Sequence, residues 1–506
     1  YVSYAQHRSV KDIDRFLGLM EADRSILLKA RLNDFTSLRF SGVPDSVLLR
    51  EQELIKAMVI DPEAEGPVTR AMDAENAFAL FLNDLSKHYP RYYELRYGIA
   101  TINVADVRKK LLRPGRDLLA YALTESYMYM LVVRTDTAVI VRTPNDRAAG
   151  TVHALSDAIA KRHVASYAST GFQAYSEFIA PIASLLTGKE LLVIPDGPLH
   201  TVSFEAFLTD PSERNSSKNA LIQRYAIAYL LSATTAVQFA EMARERSQGV
   251  LALAPGFSDR EKQRYLAEVL DTGAVDRDFL NYVRQPFAVN TARGLARTLH
   301  ATVLLESDAN EAEFRERAEQ FGILHLGTHA EMNATSPMYS RLVLSKSGST
   351  TDAESDGYLH AYEIYELDLR AQLAVLSACE TGTGRTDEGE GVRSLGYGFA
   401  YAGCPSLVVS LWSIDEKVSA TILERFYAYL AEGMPKHIAL RQAKLDHLAQ
   451  AQDELALPYY WAGLVLVGDV GPVEIGGGWE RVVGWCIAVL MLIGLFVWWF
   501  KRRRTT

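Results

Sequence analysis

Apolar residues recur at helical spacing through the first part of the chain and at strand spacing beyond it. Ile13, Phe16 and Leu17, then Leu27, Leu28 and Leu32, then Leu48, Leu49, Leu54, Ile55 and Met58, each mark one face of a helix. Val68 to Tyr93 repeats the pattern in Phe78, Leu80, Phe81 and Leu85, between Pro67 and Pro90. No repeat period can be counted, so by their pattern residues 1–112 read as a helical region of the generic spacer kind. From Leu118 the period shortens. Leu118 to Leu123, Tyr127 to Arg134 and Ala138 to Arg142 predict a β-meander, with turns at Glu125 and Asp136.

An alternating order follows. Helical patterns at about 151–187, strand Glu190 to Ile194, strand Tyr225 to Leu231, helix at about 233–245 and strand Val250 to Ala254 predict an α/β half over 113–255. A second half, 256–473, is expected to contain helix 290–299, strand Thr302 to Leu305, helix 311–319 and strand Arg341 to Ser345. It continues with helix Gly391 to Gly403, strand Leu407 to Trp412, and helices Asp415 to Leu430 and Pro435 to Leu448. Within it lie two short, wholly apolar runs, Ile323 to His329 and Leu373 to Cys379. Such runs fit central strands of a parallel sheet covered on both faces. The fold class is therefore α/β, a mostly parallel sheet sandwiched by helices.

Those two runs end in an imidazole and a thiol. Ligands of open parallel sheets sit beyond the carboxyl ends of the strands, where His329 and Cys379 would emerge. A cysteine attacks as its thiolate, and histidine is the side chain best placed to take that proton near neutral pH. Taken singly, each residue is more often structural. Their shared position at strand ends, with Gly382 and Gly384 following the cysteine, favours chemistry. Asp196 and His200 also stand close in sequence, but no thiol or hydroxyl motif accompanies them, and Pro195 to Pro198 reads as a turn. The glycine-rich segment Gly382 to Gly391 lacks the GK[ST] ending of a phosphate-binding loop and reads as a mobile substrate loop.

Four segments, in order, resemble a CHAT domain: Ile323 to Asn333 (ILHLGTHAEMN), Leu373 to Gly384 (LAVLSACETGTG), Gly389 to Glu416 and Pro458 to Asp469. Leu191 to Phe207 resembles the family's earlier strand and turn. The resemblance covers roughly 115–470 and implies a caspase-like and separase-like cysteine endopeptidase, in a family often fused to tetratricopeptide repeats, so that residues 1–112 are equally the end of a repeat array plus a helical hairpin. The interval between histidine and cysteine, 379 − 329 = 50 residues, also approximates that of caspases. The resemblance further implies His329 as acid and base, Cys379 as nucleophile, and backbone N–H groups of Ala330 and Cys379 as the oxyanion site. One departure is Ala330, which stands where the family commonly has glycine. For cleavage after a basic residue, Asp415 and Glu416 are the expected pocket acids, with Glu390 and Asp387 as lesser candidates. For Asp415 and Glu416, capping the following helix is an equal alternative. The resemblance implies switching by a protein regulator, here through the N-terminal helices, in signalling or defence. The contrasting class is a catalytically silent interaction module on the same fold.

Composition changes this picture little. A net charge of −9 argues against nonspecific nucleic-acid binding by the body of the chain. Three cysteines, Cys379, Cys404 and Cys486, include no CxxC pair, so neither a disulfide framework nor a structural metal is expected, and no cofactor is implied. The chain begins at Tyr1, which reads as a fragment or processed product. The last segment differs in kind. After a glycine-rich linker at 474–481, Val482 to Phe500 carries no charge over 500 − 482 + 1 = 19 residues, is flanked by Trp485, Trp498 and Trp499, and ends in Lys501, Arg502, Arg503 and Arg504. It reads as one C-terminal transmembrane helix with a basic tail at 501–506, in a single-pass protein. The positive-inside rule puts the tail in the cytoplasm and the catalytic part outside, while translocation of the short tail gives the reverse.

Overall fold

The computed structural model describes residues 4–5, 9–22, 24, 45–57, 67–89, 93, 102–212, 216–242, 246–269, 275–333, 337–346, 356–378, 385–387, 391–393 and 395–475. Leu27, Leu28, Leu32 and Met58 of the helical reading, the linker residues beyond 475 and the whole 482–506 segment lie outside them. Among the described residues no helix is long and apolar enough to cross a membrane.

The N-terminal part contains the helices Val10–Ala22, Asp45–Ala57, Pro67–His88 and Val104–Lys110. Ile13 and Leu17 of the first are buried, as their spacing requires. The helix Val10–Ala22 docks on the body through polar contacts as well: Asp14 accepts the Val104 amide (2.9 Å) and Glu21 accepts the amide and hydroxyl of Thr234 (2.8 Å each).

The meander forms as expected, with antiparallel β1 (Arg116–Leu123), β2 (Tyr127–Val133) and β3 (Ala138–Pro144). The helical patterns over 151–187 become two helices, Ala148–Ala160 and Val164–Phe178. They are separated by Arg162 in the left-handed region (φ 53°), and His163 then caps the second. Next come β4 (Glu190–Ile194), β5 (Ala226–Tyr229), β6 (Gln248–Ala254), β7 (Thr302–Leu305) and β8 (Phe321–Leu326). A small antiparallel sheet of β9 (His329–Glu331), β10 (Arg341–Val343) and β11 (Tyr358–His360) follows. The chain then continues through β12 (Leu373–Leu376), β13 (Arg385–Asp387), β14 (Gly391–Arg393), β15 (Ser406–Ser410) and β16 (Leu464–Gly468).

Both halves share one 11-stranded sheet in the order β3-β2-β1-β4-β5-β16-β15-β12-β8-β6-β7. Only the β1–β2, β2–β3 and β15–β16 pairs of that sheet are antiparallel. The architecture is a mixed α/β fold with a large, mostly parallel sheet flanked by helices. Strand β6, which sequence order assigns to the first half, is inserted between β8 and β7 of the second. An apolar run fixes burial but not neighbours, and register across crossovers is invisible to periodicity. The glycine-rich segment read as a mobile loop contains the hairpin β13–β14, with Arg385 opposite Arg393. The helix expected over Gly391 to Gly403 is confined to Leu395–Tyr401.

A buried ion pair links distant parts of this core. Lys444, on the helix Lys436–Gln450, donates to Glu205 and to the Leu464 carbonyl at the start of β16. Both side chains are almost wholly excluded from solvent.

Candidate active site

The two chemically active runs end side by side. β8 and β12 are parallel neighbours in register, Ile323 opposite Leu373 and Leu326 opposite Leu376. Adjacent strands lie about 5 Å apart, so their carboxyl ends open on one crevice. The register continues one residue past the strands, where the Ser377 amide donates to the Leu326 carbonyl (2.9 Å). From β15, on the other side of β12, the Ser410 hydroxyl donates to the Ala378 carbonyl. The backbone is thereby held up to the residue before Cys379. Cys379 itself lies outside the described residues, as do Glu390 and the intervening glycines; Asp387 lies on β13.

On the neighbouring strand the chain does not run straight to His329, as the apolar pattern suggests. It leaves the main sheet at Gly327 and Thr328 and enters the small sheet at His329. Gly327 passes close to the helix Pro286–Leu299, where an added Cβ would meet the Ala288 Cβ at 3.1 Å. The Thr328 hydroxyl donates to the Val343 carbonyl, which ties the turn to β10. Ala330 pairs opposite Leu342 in the small sheet, a strand position that alanine fills without strain.

His329 is half-buried, and its ring packs against Tyr282 (centroids 5.3 Å, planes at 22°) and Phe257 (5.0 Å, 49°). Its Nε2 lies 2.8 Å from the Val283 carbonyl oxygen. A carbonyl only accepts, so Nε2 carries the proton and Nδ1 of the neutral ring is left as the acceptor. Burial holds the His329 pKa below the ordinary imidazole value, opposed in part by the Val283 carbonyl and the charge of Glu331. A neutral imidazole of fixed tautomer, whose other nitrogen can accept a proton, is what proton abstraction from a thiol requires. His325, on the strand below, is different. It is fully buried with its pKa pushed down to about 4 and Nδ1 3.0 Å from the Tyr427 hydroxyl, so it belongs to the core.

The acidic candidates lie beyond β15, the other neighbour of β12. Asp415 caps the helix Glu416–Ala431, with Oδ1 accepting the Val418 amide (2.9 Å). Glu416 accepts the amides of Phe287 (2.8 Å) and Ala288 (3.0 Å) through Oε1, at the start of the helix Pro286–Leu299. The capping alternative thus holds for Asp415 on its own helix, while Glu416 caps a different one. Asp196, set aside as a turn residue, accepts the Leu123 amide (2.6 Å) at the end of β1.

Sequence reasoning missed Tyr282, Val283 and Arg341. The first two sit in a short irregular stretch between helices, with no periodic or motif signal.

Residues 169–469, more than half of the chain, match the family model described as "CHAT domain". Among solved structures, two of the Saccharomyces cerevisiae separase–securin complex align with it. The one at 2.6 Å resolution has 8% identity and a TM-score of 0.44, covering 83% of this chain and 35% of that chain. The one at 3.0 Å has 7% identity and a TM-score of 0.40, covering 80% and 34%. The Arg-specific cysteine proteinase gingipain R aligns at 8% identity and a TM-score of 0.37, covering 61% and 68%. This chain therefore spans about a third of the separase-complex chains it aligns with. No curated protein matches it.

Proposed function

We propose, from the premise that this chain belongs to the CHAT domain family, that it is a cysteine endopeptidase whose nucleophile is Cys379 and whose acid and base is His329. The observation that carries the reading is the pairing of β8 with β12, which brings the strand ends leading to the two residues onto one crevice, beside an imidazole whose Nε2–H is taken by Val283. In this mechanism Nδ1 of His329 accepts the Cys379 thiol proton and the thiolate attacks the scissile carbonyl. The backbone N–H groups of Ala330 and Cys379 stabilise the oxyanion. The protonated imidazole then returns its proton to the leaving amine, and water hydrolyses the thioester with His329 again as base.

The substrate is a protein cut after arginine or lysine, the cation being met by an acid drawn from Asp415, Glu416, Asp387 and Glu390. The N-terminal helices receive a protein regulator, and residues 482–500 anchor the chain to a membrane. A peptide library profiled with the activated protein should show cleavage after basic residues. Asp415→Asn keeps a capping side chain while removing the charge, and should lower kcat/KM for basic substrates by about 100-fold or more if Asp415 is the pocket acid. Cleavage after aspartate would overturn the basic preference, and unchanged selectivity in Asp415→Asn would take that residue out of the pocket. Removing residues 482–506 should shift the protein from washed membranes to the soluble fraction; persistence in the membrane pellet would contradict the anchor.

A further inference from the structure

The side chains behind His329 form a closed circuit of contacts, none of which the chemistry of cleavage itself requires. Tyr282 stacks on the imidazole and donates its hydroxyl proton to Glu331 Oε1. Glu331 Oε2 accepts from Arg341 Nε (2.8 Å) and lies 2.8 Å from its Nη2, a two-pronged clamp of the kind a guanidinium makes. The Arg341 guanidinium in turn lies 3.6 Å from the Tyr358 ring centroid. The Tyr358 hydroxyl donates to Asp276 (2.6 Å), and Asp276 caps the helix Arg277–Asn281 by accepting the Asp278 and Phe279 amides. The residue after that helix is Tyr282, whose own carbonyl is held by Lys262 Nζ (2.6 Å). The next carbonyl, that of Val283, takes the His329 Nε2–H.

We propose that Tyr282 and Glu331 are positioning residues for His329: Glu331, clamped by Arg341, fixes the Tyr282 ring against the imidazole and so sets the adjacent Val283 carbonyl where it selects the Nε2–H tautomer. The physical reason lies in the geometry. A single carbonyl bond lets the ring pivot about its own axis, whereas a stacked face and an edge bond from consecutive residues fix both ring plane and tautomer. Glu331 also belongs to β9, the strand that begins with His329, so the imidazole and the anchor of its platform move as one unit. Arg341 lies directly opposite Glu331 in the register of the small sheet.

The inference rests on His329 being the base, so its test includes a readout that does not need cleavage. The 506-residue chain carrying Cys379→Ala, labelled with ring-15N histidine, reports the His329 tautomer by NMR, with the signals assigned by their loss in His329→Gln. A single Nε2–H tautomer is expected, replaced by exchange between tautomers when Tyr282→Phe, a nearly isosteric change, removes only the hydroxyl. In the protein with Cys379 intact, Tyr282→Phe should lower kcat by about 10- to 100-fold with KM within about twofold, because misplacement of a catalytic group is felt in the transition state. Glu331→Gln, which still accepts a hydrogen bond, should retain more kcat than Glu331→Ala. An unchanged tautomer in Tyr282→Phe overturns the proposal. A changed tautomer in a protein that cleaves nothing even when activated by its regulator upholds the positioning role and rejects the peptidase reading.

Discussion

Replacement of His329 by alanine should lower peptide cleavage by at least about 1000-fold, and Cys379→Ala should do the same, with neither change lowering the melting temperature by more than a few degrees. The asymmetry follows from placement. His329 is half-buried and, among the described residues, its ring makes one hydrogen bond, to the Val283 carbonyl, so its loss costs the fold little. A thiol without a base is mostly protonated at neutral pH and attacks slowly, and residues that act as a pair show effects nearly as large singly as together. Burial also fixes the direction of the pH dependence. A depressed His329 pKa keeps the ring neutral to more acid pH, so the acid limb of kcat/KM should fall below the ordinary imidazole value of about 6.5. Activity in either variant within tenfold of the parent would remove that residue from the mechanism, and an acid limb above 6.5 would contradict the desolvated imidazole.

Lys444→Ala should be among the most damaging changes to stability, costing about 3–5 kcal/mol, because it leaves the Glu205 carboxylate buried without its cation. Lys444 spans three elements at once: its own helix, the turn Phe204–Ala206 and the first residue of β16. β16 is the strand that joins the two halves of the sheet through its parallel pairing with β5. Burial already pushes the Glu205 pKa up, and Lys444 is the main influence opposing that rise. Without it the carboxyl folds best when protonated, so the folded state binds more protons than the unfolded one and the destabilisation grows as pH rises. The double variant Lys444→Met with Glu205→Leu should recover most of the loss, since a well-packed apolar pair can replace a buried ion pair. Denaturant unfolding at pH 5 and pH 8 measures all of this. A Lys444→Ala cost below about 1 kcal/mol at pH 8 would show that solvent reaches Glu205 and that the pair is not a structural tie.

The strands of the central sheet were the most legible elements because both faces are covered. The runs Leu118 to Leu123, Glu190 to Ile194 and Leu373 to Cys379 need no partner to be recognised, and they mark the strands β1, β4 and β12. What the runs lacked was direction and neighbourhood, so they gave no sign that β6 pairs between β8 and β7. The run at Ile323 to His329 was read as one strand, but its small residues Gly327 and Thr328 mark a crossing from one sheet to another. Sequence placed His329 at the end of that run, yet gave no hint of the ring's surroundings. Tyr282 and Arg341 reach it from 47 residues before and 12 after (329 − 282 and 341 − 329), through contacts that no local pattern encodes. Asp415 and Glu416 show the opposite case. As neighbours in sequence they looked like one acidic feature, and the fold gives them separate work at the N-termini of two helices.

The His329 and Cys379 pair is tested by active-site labelling of the activated 506-residue chain with a peptidyl acyloxymethyl ketone ending in arginine, followed by peptide mass spectrometry. The reagent alkylates a cysteine only when the thiol is activated and a peptide is seated beside it. The expected result is one adduct per chain on Cys379, lost in His329→Ala and absent from Cys404, whose buried thiol has its pKa pushed up to about 11. An unlabelled Cys379, or equal labelling of Cys379 in the His329→Ala variant, would contradict the His329 and Cys379 pair.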